Sequence, residues 1–577
     1  MKNSEIAKIF SEIADLLELK GENQYKIRAY KKAAQVIESY PIPIEQLYKE
    51  GKLQQIPGVG ESIAAKIVEI LRTGKLRYYE KLKAEFPPGI TSLLEIPGVG
   101  PKTALSLWKE LGITSIEDLE RLIEEKKTAV LFRLGEKTAA NIIKHVQSQR
   151  RKEQRILLGK ALPIAERIVE ALREVPGVHD LIPVGSLRRF KETVGDIDIM
   201  ATADEPEKVL DVFVHLPGIQ EVLAHGGTKA SVIVEEGVQV DLRVVEKDSF
   251  GSLIQYFTGS KEHNIALRER GLKQGLKLSE YGITDLKTGK LEKFPTEEEF
   301  YERLGLQWIP PELREARGEI ERAALRNIPK LVELKDLRGD LHVHTKWSDG
   351  QDTIEAMALA AKERGYEYIA IADHSAGRGI ARGLGVERLK KQIEEIKRLN
   401  QRLSGIKILA GIEVDIRADG TLDLPDEILQ ELDVVVAAIH SAMSQDKEKM
   451  TKRIIAALEH PLVNILAHPT CRIIGEREEI DVDLEEIMRV AARTGTALEI
   501  NSMPDRLDLR DIYVSRAREL GVKLSINTDA HAVHHLDYIR FGVGVARRGW
   551  CEPKDIINTW PLEALEDFFR KKRALLR

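Results

Sequence analysis

Three aspartates and a series of histidines carry most of the chemistry legible in this chain. Gly195-Asp196-Ile197-Asp198-Ile199-Met200 places two carboxylates two residues apart in an apolar run, and Val238-Gln239-Val240-Asp241-Leu242-Arg243 supplies a third. Residues i and i+2 of a strand share a face, so Asp196 and Asp198 project together, and a neighbouring strand through Asp241 would add its carboxylate. Three carboxylates in one place repel unless cations lie between them, which implies bound Mg²⁺ or Mn²⁺. Two such ions about 4 Å apart would activate a 3′-hydroxyl and stabilise a leaving pyrophosphate during in-line displacement. Just upstream, Gly185-Ser186-Leu187-Arg188-Arg189 offers backbone N–H groups, Ser186 and Arg189 to an incoming triphosphate.

A second set starts at Asp340-Leu341-His342-Val343-His344. Apolar runs end in turn at His344, His374, Glu413, His440, His468, Asn501 and Asp529 with His531. His342 and His344 share a strand face, as a chelating pair should. Imidazole and carboxylate without thiol suit Zn²⁺, Mn²⁺ or Fe²⁺. Helix-like stretches such as Thr353–Arg364 and Val386–Leu403 separate the runs. Fully apolar strands alternating with helices predict a β/α barrel, whose chemistry lies at the C-terminal strand ends.

The elements that position these groups follow from length and composition. A chain of 577 residues predicts about three to five domains. With 43% hydrophobic and 31% charged residues each domain can bury a core, and no apolar run reaches membrane-spanning length. Two cysteines, Cys471 and Cys551, exclude a disulfide framework and a thiolate zinc site, so a soluble protein of a reducing compartment is expected. The net charge of −5 is uneven: residues 1–160 hold 28 Lys+Arg against 21 Asp+Glu, a balance of +7, leaving −12 for the remainder. The front of the chain is therefore the part suited to an anion.

That front reads as amphipathic helices, with Ile6, Phe10, Ile13 and Leu17 at helical spacing. LQQIPGVGESIAAKIVEI from Leu53 and LLEIPGVGPKTALSLWKEL from Leu93 are near-copies, and a degenerate third begins at Phe132. The glycine pairs Gly58/Gly60 and Gly98/Gly100 leave N–H groups open at a helix start, which suits phosphate and reads no base. Lys66 and Lys102 follow them. These segments resemble helix-hairpin-helix DNA-binding motifs.

Tyr25-Lys26-Ile27-Arg28-Ala29-Tyr30-Lys31-Lys32-Ala33-Ala34, with the first hairpin and Thr73-Gly74-Lys75-Leu76-Arg77, resembles the small N-terminal domain of family X DNA polymerases. The resemblance implies a grip on the 5′ side of a gap, with Lys26, Tyr30 and Lys31 toward DNA. It also implies a deoxyribose-phosphate lyase with Lys66 as Schiff-base nucleophile, its pKa lowered by Lys26, Lys31 and Lys32. Ser62 stands where the family has an assisting lysine.

The aspartate block resembles the nucleotidyltransferase palm. Tyr256-Phe257-Thr258-Gly259-Ser260 and Asn264 match the nucleotide-binding segment of family X polymerases. By that resemblance Gly185, Ser186, Arg189, Gly195 and Gly259 line the nucleotide, Tyr256 and Phe257 discriminate at the sugar, Asn264 contacts the base edge and Arg268 lies near the template. Lys261 replaces an acidic residue of the beta enzyme. From residue 338 the chain resembles the polymerase and histidinol phosphatase (PHP) domain, a trinuclear metal phosphoesterase. All nine of its ligand positions are filled, by His342, His344, Asp349, His374, Glu413, His440, His468, Asp529 and His531. This implies a live site for up to three Mn²⁺, Zn²⁺ or Fe²⁺ ions.

Together these resemblances identify the chain as a family X DNA polymerase with a C-terminal PHP domain. The expected architecture is multidomain. A helical lyase-like domain with the first hairpin spans 1–82, and a second helix-hairpin-helix subdomain 83–150. An α+β palm covers 151–247 and a nucleotide-selection subdomain 248–318, palm and thumb together forming the nucleotidyltransferase part. A linker, 319–337, leads to a distorted (β/α)7 PHP barrel over 338–577. The expected function is template-directed gap filling in DNA repair, with a Mn²⁺-dependent 3′–5′ exonuclease and abasic-site endonuclease or 3′-phosphatase action. The partners are gapped or nicked duplex DNA and dNTP, with no membrane, in a cytoplasmic, nucleoid-associated monomer. The rivals are a non-templated nucleotidyltransferase fused to a small-molecule phosphoesterase, and a DNA-end scaffold with silent catalytic domains.

Overall fold

The computed structural model describes residues 3–38, 40, 43–96, 99–125, 127–128, 130–131, 135, 139, 142–143, 155–235, 237–377 and 381–575. The chain forms two units, 1–154 and 155–577.

The first unit is helical among its described residues. Ile6, Phe10, Ile13 and Leu17 lie on one face of the helix Asn3–Lys20 and are fully buried, where Gln24–Glu38 packs. Short 3-10 turns, Leu53–Gln55 and Ile90–Glu95, precede the helices Glu61–Thr73 and Pro101–Leu111. Gly60 (φ −79°, ψ 176°) and Gly100 (φ −88°, ψ 177°) begin those helices with no side-chain cap, so the two sequence copies are also local structural copies. Gly98 and most of the third copy from Phe132 lie outside the described residues.

The second unit opens with a five-stranded mixed sheet. Its strands are β1 (Val178–Pro183), β2 (Ile197–Ala203), β3 (Ile219–His225), β4 (Lys229–Val234) and β5 (Gln239–Val245), in the spatial order β1-β2-β5-β4-β3. The helices Leu158–Arg173 and Pro206–Val214 supply Ile164, Ile168, Leu210 and Phe213 to its core. Parallel β2 and β5 set Asp198 opposite Asp241. The following helices, Phe250–Thr258, Lys261–Lys273 and Glu297–Arg303, accompany a small antiparallel sheet. Segment 319–337 is packed, burying Ile320, Ala323, Leu331 and Val332.

Seven parallel strands follow in sequence order: β6 (Gly339–Val343), β7 (Tyr368–Ile371), β8 (Lys407–Asp415), β9 (Val434–Ala438), β10 (Ile465–Leu466), β11 (Ala497–Asn501) and β12 (Leu524–Asn527). A parallel bridge between Val343 and Ala530 brings the last strand back to the first, nearly closing the barrel. The pleat is visible in β9, where Val434, Val436 and Ala438 join one core cluster and Val435 and Ala437 another. Burial on both faces is why these strands read as unbroken apolar runs. Helices Ile354–Glu363, capped by the Thr353 hydroxyl, and Val386–Arg402 occupy the stretches expected from periodicity.

The C-terminal helix Leu562–Leu575 seals part of this core, with Leu565 and Phe569 in the same cluster as Val434. Its Lys572 is 1% exposed and donates to the Leu458 and Val463 carbonyls and the Thr496 hydroxyl. Burial pushes the Lys572 ammonium down to about 7 from 10.5. The unfolded lysine holds its proton through that interval and the folded one does not, so stability rises with pH there. Raising the pH from 7 to 10 should therefore stabilise the wild type relative to Lys572→Met, as read by chemical denaturation; parallel profiles would refute this.

Candidate active sites

The first site forms where two parallel strands begin. Asp198 and Asp241 are register partners, and Asp196 lies one residue before β2 on the same side of the pleat as Asp198. Gly185, at φ +67°, bends the chain so that a Cβ there would lie 3.5 Å from Asp198 Oδ2. Burial, reinforced by the Asp196 and Asp241 carboxylates, pushes Asp198 up to about 7. Asp241 moves the other way. Burial opposes its charge, but Lys229 Nζ (2.6 Å) and Gln239 Nε2 (2.9 Å) donate to it and hold its pKa below the ordinary value. A donor set of hard carboxylate oxygens whose central member resists ionising alone fits a divalent cation.

The residues expected on the nucleotide side gather on one flank. Arg188 pairs with Glu297 through both guanidinium nitrogens (2.9 and 2.8 Å) and donates to Thr258 Oγ1 (2.7 Å). Arg314 and Arg188 overcome burial to hold Glu297 at about 2. Arg189 donates to the Thr258 carbonyl and to Glu315 (3.1 Å), and a Cβ on Gly259 would stand 3.2 Å from its Nη1. Ser186 occupies the short helix Gly185–Arg188, and Gly195 lies beside Arg155, whose Nη1 is 3.5 Å from where a Cβ would stand. Tyr256 and Phe257 form an edge-on pair 5.3 Å apart; Arg268 lies over Tyr256 at 5.8 Å and Arg243 over Phe257 at 5.0 Å. Asn264 is buried, donating to the Tyr256 carbonyl (2.8 Å) and accepting from Gln255 (2.9 Å), so part of its amide already serves the fold.

The second site lies at the C-terminal ends of the barrel strands. Three donor groups overlap there, each with ligand atoms within 4.8 Å of one another: His344, Asp349, His374 and His531; His342, His344 and Asp529; and His374, Glu413 and His440. His468 Nε2 joins through Glu413 Oε1 at 3.0 Å. Glu413 Oε2, Asp529 Oδ1 and His440 Nε2 are buried and crowd against neighbouring donor atoms without forming well-directed hydrogen bonds, as metal donors would. His468 (φ +29°) and Asp529 (φ +54°) adopt left-handed backbone, a strain that accumulates where function over-determines the chain. Burial and the neighbouring His531 and His374 hold His344 neutral, at about 3.

Sequence reasoning missed the groups that aim these ligands. Glu499, fully buried, accepts from His342 Nδ1 (2.8 Å), the His468 N–H (2.8 Å), Asn501 Nδ2 (3.1 Å) and Asn527 Nδ2 (2.9 Å). Asp415 pairs with His440 Nδ1 at 2.7 Å. Each is a charge inside an apolar strand, two residues from a residue already singled out (Asn501 and Glu413), and strand alternation marked both.

In the helical unit, Lys66 Nζ donates to the Ser62 hydroxyl (2.9 Å) and carbonyl (3.2 Å), 5.8 Å from the Tyr30 ring and 5.6 Å from that of Tyr78. Its pKa is lowered, chiefly by burial and then by Lys26; Lys31 instead pairs with Glu18 at 2.8 Å. The expectation that Tyr30 faces DNA needs correction. Its ring is 6% exposed and stacks on Phe10 and Tyr78, so it belongs to the helical core. Gly58 (φ +84°) lies against the Lys32 stem, with a Cβ 3.2 Å from Lys32 Cγ. Lys102 falls in the first turn of Pro101–Leu111.

Replacing Glu499 with glutamine should weaken Mn²⁺ binding at the barrel end about 10- to 100-fold, because His342 loses the anion that orients it. Mn²⁺ titration monitored by electron paramagnetic resonance reads this directly, and unchanged affinity would contradict the assigned role.

Comparisons with known proteins agree with this geometry. A helix-hairpin-helix domain profile matches residues 1–76 and a SAM-like helix-hairpin-helix tandem profile residues 90–148. The DNA polymerase beta thumb matches 253–315 and the PHP domain 340–503. The DNA polymerase/3′-5′ exonuclease PolX of Bacillus subtilis is 39% identical over 573 residues, covering 99% of this chain and 100% of that protein. A probable phosphatase of Thermoanaerobacter is 30% identical over 247 residues, 41% of this chain and 96% of its own length. DNA polymerase lambda of Arabidopsis thaliana is 28% identical over 345 residues, 54% of this chain and 62% of its own. The chain belongs to the family X DNA polymerases with a C-terminal PHP domain, and is a DNA-directed DNA polymerase joined to a phosphoesterase.

Proposed function

We propose that the chain fills gaps in DNA under template direction, transferring nucleotides from dNTP to a 3′-hydroxyl beside Asp196, Asp198 and Asp241. The barrel end is a Mn²⁺-dependent 3′–5′ exonuclease, with abasic-site endonuclease or 3′-phosphatase action as the same phosphoester chemistry on other ends. The observation that carries the reading is the register of Asp198 opposite Asp241 beside the Gly185 turn, in one unit with nine clustered imidazole and carboxylate donors.

Mg²⁺ or Mn²⁺ held by the palm aspartates, and up to three Mn²⁺, Zn²⁺ or Fe²⁺ ions held by the barrel ligands, would supply charge neutralisation and an activated oxygen nucleophile. The chain's own residues bind and orient. Ser186 and the N–H groups after Gly185 receive phosphate oxygens, and Arg189 brings charge to the same flank. Tyr256 and Phe257 stand at the sugar, Asn264 at the base edge and Arg268 toward the template. The hairpin starts at Gly60 and Gly100, with Lys102, hold backbone phosphates without reading bases. Domain borders near residues 82, 150, 247, 318 and 337 follow this division of labour, in a monomer working on gapped or nicked DNA in the cytoplasm.

Placing both activities on one chain suits damaged ends, because the 3′-end left by one site is the substrate of the other. Asp198→Ala should lower extension of a 5′-labelled gapped duplex by about 1,000-fold or more while leaving shortening intact. His344→Ala should do the reverse. Equal loss of both activities in either variant would mean a shared site.

Lys66, partly desolvated and near Lys26, suits a Schiff base with an abasic sugar. Borohydride should trap the wild type on a 5′-deoxyribose-phosphate end and not Lys66→Ala. Lys26→Gln removes a cation that disfavours protonation of Lys66, so the pH profile of trapping should move upward. Trapping by Lys66→Ala would assign the adduct elsewhere.

A further inference from the structure

The turn that carries Ser186, Arg188 and Arg189 is held from behind by the barrel domain. Phe190 lies so close to Gly544, in the helix Ile539–Arg548, that a Cβ there would fall 2.1 Å from Phe190 Cδ1. At the end of the same helix, Arg548 is 4% exposed. Its Nη1 donates to the Arg189 carbonyl (2.6 Å) and Glu315 Oε1 (3.0 Å), and its Nη2 to Asp511 Oδ2 (2.7 Å). Glu315 Oε1 also accepts from Arg189 Nε (3.1 Å), and Asp511 Oδ2 from Arg317 (3.0 Å). Arg189, Arg317 and Arg548 thus face Glu315 and Asp511, three cations against two anions, before Lys191 nearby is counted.

A guanidinium with a carboxylate to itself forms a closed pair with little charge left for a ligand. Here a single oxygen of Glu315 is shared between two guanidinium groups, in surroundings dry enough for that sharing to matter. We propose that Arg548 and Asp511 of the PHP domain are positioning residues for nucleotidyl transfer. Arg548 divides the charge of Glu315 and anchors the Arg189 carbonyl, so the Arg189 guanidinium stays available to a nucleotide triphosphate. Asp511 fixes Arg548 in that place. The proposal rests on the reading that the Gly185–Arg189 turn receives the triphosphate.

The test uses the full-length protein on a single-nucleotide gap and measures KM for dNTP, kcat, and the 3′–5′ exonuclease rate. Arg548→Met should raise KM for dNTP about tenfold, with kcat changed less and exonuclease unchanged. Arg548→Lys, which keeps the charge but not the fork, should recover part of that loss. Glu315→Gln in the Arg548→Met background should restore KM toward the wild type, since Arg189 then has no carboxylate to collapse onto. Arg189→Ala is the control for the underlying reading. If it leaves KM for dNTP unchanged, the triphosphate assignment of the turn falls. If it raises KM while Arg548→Met and Arg548→Lys do not, the positioning role alone is overturned. A fall in kcat and exonuclease together at constant KM would reduce Arg548 to a structural residue and overturn the proposal. Should Arg548→Met fail to fold, Arg548→Lys decides: a raised KM for dNTP supports the role, and a wild-type KM refutes it.

Discussion

Crowded negative charge is the constraint on which the second unit depends. Glu413 sits at its centre, with His374 Nδ1 2.6 Å from one carboxylate oxygen and His468 and His440 3.0 and 3.2 Å from the other. In the adjoining part of the cluster Asp529 lies 3.0 Å from His344 Nε2 and Asp349 3.3 Å from His531 Nε2. In the five-stranded sheet, Asp198 and Asp241 face each other across two strands with Asp196 beside them. A buried cluster of this kind persists only if the charges are balanced in place, and the donor types match divalent cations. Strand pairing brings the groups together, and divalent cations held between them would make that proximity tolerable.

The fold supplies the geometry by repetition. Seven parallel strands end on one side, so each can deliver a donor to a common point without a specialised loop. The pleat then doubles the supply. An i, i+2 companion orients a neighbouring candidate donor: Asp415, two residues from Glu413, pairs with His440 Nδ1, and Glu499, two residues from Asn501, pairs with His342 Nδ1. The same alternation makes Asp196 and Asp198 neighbours. Hairpin glycines solve a different problem in the helical unit, presenting N–H groups at two matching helix starts.

Strongly periodic features were legible in the sequence. The ligand runs, the two glycine hairpins and the helix face through Ile6, Phe10, Ile13 and Leu17 each repeat a local rule, and the structure follows them. Contacts fixed by tertiary packing were not legible. Nothing local marks Tyr30 as buried, because an aromatic in a basic helix suits DNA as well as a core. The cause of the Lys66 shift was likewise hidden, since burial outweighs the cations that the sequence displays. The link from Arg548 to Arg189 spans 359 positions and follows no motif. It emerges only when the barrel helix packs against Phe190.

The central claim is that cations hold residues 155–577 together at their two clusters of donors. Differential scanning calorimetry of the full chain, stripped by a chelator and then reloaded with Mn²⁺, addresses it most directly. A site bound at a hundredfold over its dissociation constant adds about 2.7 kcal/mol to the folded state. Reloading should therefore raise the melting transition of the second unit by several degrees and leave that of the helical unit in place. Superimposable thermograms with and without metal would contradict the account.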